Sequence, residues 1–202
     1  MSIAETSCKW GKKTIKTLAM LLTLNTAVIP VSYLINRNIT PDKKTIVFTS
    51  GKNDLSNYGI PEIPSEIMVL SIDFFMYNPI TIRQNLRGNQ INWCSNPNLE
   101  TFIEKLQNPE FENIVLIGHG GKNNYALLDG DADTDYLKKF WLPNRQGEFY
   151  QYTCGGDEEE KETLKDVLFN PWARSKTFGG ILDPFTSYVC AWTDSADEED
   201  NY

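Results

Sequence analysis

One histidine and four cysteines bound the nucleophilic and acid–base chemistry open to this 202-residue chain. His119 stands in Gly118-His119-Gly120-Gly121, directly after the apolar run Ile114-Val115-Leu116-Ile117. Thirty-five residues on, Glu148-Phe149-Tyr150-Gln151-Tyr152-Thr153 leads into Cys154-Gly155-Gly156. A thiolate attacks a peptide or ester carbonyl, while an imidazole activates the thiol or protonates the leaving group. Imidazole is the side chain suited to proton transfer near neutral pH, so any such chemistry here falls to His119. The two groups need not be neighbours in sequence. They need the ends of adjacent strands, where the flanking glycines let the backbone approach a substrate. The amides of Gly120 and Cys154 would then serve a developing oxyanion. A helix expected over 158–169 would turn its positive end toward Cys154 and favour the thiolate. Its acidic first turn, Asp157 to Glu160, would offset part of that effect.

These residues require an α/β scaffold. The run 113–118 reads as a strand buried on both faces of a parallel sheet. Thr45 to Thr49 reads as the first strand, Ile67 to Ile72 as the second, and 148–153 as the strand before Cys154. Ser187 to Trp192 reads as the last. The stretch 73–97 is ambiguous. Helices are expected from about Asn98 to Leu106, with Leu99, Phe102, Ile103 and Leu106 at helical spacing, and from Tyr136 to Trp141. Strands alternating with helices give a three-layer α/β sandwich around a mostly parallel sheet. Ligands bind such sheets at the carboxyl edge, where His119 and Cys154 would meet.

The chain ahead of this body differs from it. Residues 1–44 hold seven Lys/Arg against two Asp/Glu, which leaves 12 against 25, a net of −13, for residues 45–202. Residues 1–16 form a basic amino-terminal segment with Lys9, Lys12, Lys13 and Lys16. Residues 17–35 carry no charge, and as a helix would extend about 28 Å, close to the hydrocarbon thickness of a bilayer. The expectation is an N-terminal hydrophobic helix acting as a single-pass signal-anchor, with the body on the extracytoplasmic side. A cleaved signal, giving a secreted protein, and a soluble helix are the alternatives. The α/β domain is expected over 40–193, and 194–202 as an acidic disordered tail. An acidic body argues against nucleic-acid binding, which needs clustered Lys and Arg.

The four cysteines form no CxxC pair, and with one histidine they exclude the common zinc patterns. In an exported body Cys94 and Cys190 could form a disulfide, leaving Cys154 free. The ladder Asp129, Asp131, Asp133 and Asp135 invites a calcium reading. It lacks the glycine and glutamate of an EF-hand loop, and a solvated loop capping the next helix is the competing reading. No other cofactor or metal is expected. Asp54, after the first strand, could line a pocket for a basic substrate side chain or be a surface turn. Tyr125 and Trp192 could be pocket walls or core.

The order of the two candidate groups excludes the papain-like peptidases and the α/β-hydrolases, whose nucleophile precedes the histidine. The arrangement resembles the caspase-like cysteine peptidases (clan CD), the group of caspases, metacaspases, legumain, clostripain and the gingipains. In that group a hydrophobic strand ends in His-Gly and the next ends in the nucleophilic cysteine. Ile114 to Gly120 matches the first block and Phe149 to Gly155 the second. The resemblance implies a caspase-like fold and a cysteine endopeptidase with His119 as general acid/base, Cys154 as nucleophile, Gly120 as an oxyanion contributor and Gly155 beside the substrate. It departs from the caspases at Gln151, three residues before the cysteine, where they carry a glutamine two before. Aspartate specificity is therefore not implied. Two other functions share these residues: an inactive binding or scaffold protein at a membrane, and a thioester or ester hydrolase or acyltransferase.

Overall fold

The computed structural model describes residues 43–52, 64–153 and 162–178, together with 23, 26–31 and 34–36. Its centre is a five-stranded sheet in which every pairing is parallel. The strands are β1 (Lys43–Thr49), β2 (Asn89–Ser95), β3 (Phe111–Gly118), β6 (Phe149–Thr153) and β7 (Ser175–Phe178), in the order β2-β1-β3-β6-β7. A hairpin, β4 (Asn124–Leu127) with β5 (Gly130–Asp133), leaves the sheet after β3. The helices are α1 (Ser65–Leu86), α2 (Leu99–Gln107), α3 (Thr134–Leu137) and α4 (Leu164–Leu168).

Strand alternation divides the core in two. Val47, Val115, Ile117, Tyr150 and Tyr152 face Met76 and Ile80 of α1. Ile46, Phe48, Ile114, Leu116 and Phe149 face the opposite way, onto Phe102 and Leu106 of α2, the β4–β5 hairpin, Leu137, Leu164 and Leu168. Both faces of the sheet are covered, which is why β1 and β3 read as unbroken apolar runs. The expected α/β architecture with a mostly parallel sheet is the one observed.

The second strand is not where the sequence suggested. Ile67 to Ile72 lies inside the 22-residue helix α1. A short apolar run does not distinguish strand from buried helix by periodicity. A crossover between parallel strands decides it, since it takes a dozen or more residues and is usually helical. The amino end of α1 leaves Ile67 and Leu70 exposed. The helix closes at Arg87 and Gly88, where Gly88 at φ 78° donates to Asn85 O, the left-handed C-terminal turn that glycine accepts without strain. The true second strand, β2, lies in the ambiguous stretch. Two further expectations shift. The helix before Pro143 spans Thr134–Leu137 rather than 136–141. The helix after Cys154 begins only at Leu164, capped reciprocally by Thr163 and Asp166. The expected strand at 187–192 lies outside the described residues, while β7 had no sequence signal.

Of the expected anchor 17–35, only 23, 26–31, 34 and 35 are described. Residues 26–31 and 34–36 are helical, with Val31, Leu34 and Ile35 exposed. Among the described residues no helix is long and apolar enough to cross a membrane.

Candidate functional site

The strand order reverses between β1 and β3, so the carboxyl edge of this pair is the topological switch point where α/β sheets open a crevice. Three turns converge there. Thr49-Ser50-Gly51 leaves β1, Ser95-Asn96 leaves β2 and Gly118-His119-Gly120-Gly121 leaves β3. They are joined through the backbone. Ser50 N donates to Ile117 O at 2.9 Å and Asn96 N to Thr49 O at 2.6 Å. Asn96 sits at φ 53°, a left-handed conformation to which asparagine is suited, and its Oδ1 accepts from Gly51 N at 3.1 Å.

Gly118 lies at φ +148°, and a Cβ there would sit 2.7 Å from Ser50 O. Only glycine therefore lets the β1 and β3 turns touch. His119 follows with its side chain exposed and, among the described residues, no hydrogen bond to hold its imidazole. Its backbone is fixed: His119 O accepts from Ala126 N at 2.9 Å, and Gly121 N donates to Asn124 O at 3.2 Å. These bonds flank the antiparallel bridge between Gly120 and Tyr125. Bonds placed on either side of a pair, rather than within it, make it a non-hydrogen-bonded pair. The Gly120 N–H therefore points away from the hairpin. Gly120, at φ +151°, would put a Cβ 2.5 Å from Asn124 O, so the turn needs glycine here too.

The hairpin fixes this loop from below. Tyr125 is fully buried, donates its hydroxyl to Ile117 O at 2.9 Å, and packs its ring 5.6 Å from Phe102. Burial pushes the Tyr125 hydroxyl well above its usual range. Of the two readings open for Tyr125, core is correct. Gln151, a buried polar side chain of β6, donates Nε2 to Gly121 O and, at 3.2 Å, to Thr153 Oγ1. Sequence reading singled out Gln151 only as a departure from the caspase spacing and missed this contact.

β3 and β6 pair in parallel from Ile114↔Phe149 to Gly118↔Thr153. The residues next in sequence are His119 and Cys154. Cys154 and Gly155 lie outside the described residues, as do Asp54, Cys190 and Trp192. Cys94, on β2, is half-buried and packs against the core, and burial pushes its thiol up. The helix expected to favour a thiolate at Cys154 is corrected here: α4 starts ten residues later and is only five residues long.

The aspartate ladder has structural partners. Asp129 accepts from Leu99 N at 2.8 Å, beside Asn98, which accepts from Thr101 N at 2.8 Å, so two free amides of α2 are satisfied. Asp133 caps α3 through Tyr136 N. Asp131 pairs with Lys52 Nζ at 2.8 Å. Among the described residues no three His, Cys, Asp or Glu side chains gather to hold a metal ion.

No family model matches the chain, and no curated protein matches it. Among solved structures, the crystal structure of caspase-1 from Spodoptera frugiperda is similar, with a TM-score of 0.41 and 15% identity over 72% of this chain. The match covers 64% of that caspase chain, so this chain spans less than two thirds of its length.

Proposed function

We propose that this chain is a caspase-like cysteine endopeptidase in which Cys154 is the nucleophile and His119 the general acid/base. The observation that supports it is the β3–β6 register, which runs in parallel to Gly118↔Thr153, one residue short of both groups. In this reading the Cys154 sulfur bonds to the scissile carbonyl carbon, and the carbonyl oxygen takes the negative charge. The Gly120 N–H, directed away from its hairpin, and the Cys154 N–H donate to that oxygen. His119 gives its proton to the departing amine, leaving an acyl-enzyme thioester. It then takes a proton from water, whose oxygen attacks the thioester and releases the acid product and the thiol. The chemistry draws on no cofactor. An exposed imidazole beside a glycine-lined switch point suits a substrate that is itself a peptide chain, laid across the carboxyl edge.

The test is substitution on the full chain. Cys154→Ala should abolish cleavage and covalent labelling while leaving the thermal transition in place. His119→Ala should slow both by about 10²–10⁴-fold, the range general acid–base catalysis supplies. Cleavage that survives Cys154→Ala refutes the proposal.

We further propose, from sequence alone, that residues 17–35 behind the basic segment 1–16 tether the protein to a membrane. Retention in the membrane pellet after alkaline carbonate extraction is the expected result. Full release of the intact chain into the supernatant would refute it.

A further inference from the structure

Between β3 and β6 one side chain joins the loop that carries His119 to the strand that leads to Cys154. Gln151 is 1% exposed. Its Nε2 donates across to the Gly121 carbonyl and along its own strand to Thr153 Oγ1. Gly121 is held on its other side, its N–H donating to both the main-chain and side-chain oxygens of Asn124. The peptide of Gly121 is therefore gripped at the N–H by the hairpin and at the carbonyl by β6. His119 lies two residues before it and shares the same turn through the Ala126 N to His119 O bond.

The described pairing of β3 with β6 runs to Gly118↔Thr153, and on the β3 side the chain then enters the glycine loop that carries His119. The hairpin bonds hold this loop on one side, and the glycines at 118, 120 and 121 have no side chain with which to hold it to β6. We infer that Gln151 is a positioning residue: its amide latches the His119 loop to β6 and sets the reach from the imidazole to Cys154. This rests on the dyad reading above. It also gives Gln151 a role unlike contact with substrate, since both of its observed bonds point inward.

A small electrophile without peptide recognition isolates the effect. Iodoacetamide alkylation of Cys154 in the full chain, followed by peptide mass spectrometry over pH 5–9, reports the thiolate that His119 stabilises. Cys94 in the same digest is the internal control. The wild-type chain should show a labelling limb at low pH that His119→Ala loses. Gln151→Met keeps length and volume but removes the donor. It should weaken that limb by about ten- to a hundredfold, the scale of a misplacement of about 1 Å, with Cys94 labelling and the thermal transition little changed.

Gln151→Glu supplies a readout that loss of packing alone would not produce. A protonated carboxyl can donate to Gly121 O, whereas a carboxylate faces that oxygen without a proton and repels it. Its labelling rate relative to wild type should therefore recover as pH falls. This variant also carries the test if Gln151→Met does not fold. A wild-type limb that persists unchanged in both variants overturns the latch and spares the dyad. A wild-type chain without the limb, labelled like His119→Ala, overturns the dyad and the latch with it.

Discussion

At the amino edge of the sheet, buried side chains are tied to one another. Asn113 of β3 donates to Thr45 Oγ1 at 3.1 Å and accepts from Glu148 N at 2.8 Å. Thr45 and Asn89 both reach Gln84 Oε1 of α1, at 3.3 and 2.7 Å. One connected set of amides and a hydroxyl thus joins β1, β2, β3 and α1 to the start of β6. Arg145 closes the same edge, 4% exposed. It donates to the carbonyls of Phe111 at 2.7 Å and Asn108 at 3.4 Å, and to that of Leu106. At the carboxyl edge the described residues are mainly glycine turns, an exposed imidazole and the exposed Lys52–Asp131 pair, with Gln151 and Asn96 supplying single ties to backbone groups. Satisfied polar networks rigidify and specify a core. Sites that must admit and release a substrate belong to the less stable parts of a fold. The difference separates an edge that holds the strands in register from the edge at which the proposed dyad would sit.

Replacing Arg145 should have the largest effect on stability. Arg145→Met strips the donors from several buried carbonyls and should cost about 2–4 kcal/mol in urea unfolding. Burial already pulls this guanidinium down to about 10, so the charge itself is held at some expense. The loss expected is therefore that of the hydrogen bonds. Asn113→Ala comes next, at about 1–3 kcal/mol, because Thr45 Oγ1 and the Glu148 N–H lose a buried partner. Both variants should keep Cys154 labelling, measured per folded molecule, near that of wild type. Strong loss of labelling without loss of stability would break the division between the edges.

Gly120→Ala should reverse that pattern. Its φ and the 2.5 Å approach to Asn124 O put the strain into the His119 loop. Stability should fall by about 1–2 kcal/mol, while labelling of Cys154 falls by about a hundredfold. Lys52→Met should do least. It removes an exposed pair with Asp131 and should change stability by under about 0.5 kcal/mol, a difference that disappears in high salt. The Cys94 thiol gives a pH check on the same map. Its folded value is raised by burial, so its contribution is intact below the unfolded thiol range and is lost as pH rises through the folded value. Alkylation of Cys94 in the native chain should accordingly begin at higher pH than in urea.

Much of this plan could be read from the sequence, for reasons that differ by element. β1, β3 and α2 announce themselves because their burial follows a simple rule, two covered faces for the strands and one amphipathic face for the helix. His119 could be placed at a sheet edge because a glycine run after an apolar strand has few other uses. α1 was misread because Ile67 to Ile72 carries the composition of a strand, and only the crossover between β1 and β2 forces it to coil. β2 was hidden because Asn89, Gln90 and Asn92 interrupt its pattern, although Asn89 is spent on the buried network. Gln151 was invisible as a latch because its partner is a main-chain carbonyl 30 residues away, and nothing in local sequence marks such a contact. The aspartate ladder suggested an ion because alternate carboxylates share a spacing with ligands. The structure spends two of the four on backbone amides and two on lysines.

One contact outside the sheet bears on how the protein can be handled. Asn36 donates Nδ2 to Ile91 O at 2.9 Å and accepts from Ile91 N at 2.8 Å. It mimics one rung of a neighbouring strand along the outer side of β2. Open strand edges recruit other chains, and among the described residues Asn36 is the one seen bonded to the outer side of β2 at Ile91. A protein shortened to begin at residue 40 would be uncorked. It should offer the Ile91 rung to another copy, and size-exclusion chromatography should then show larger species than the longer chain gives.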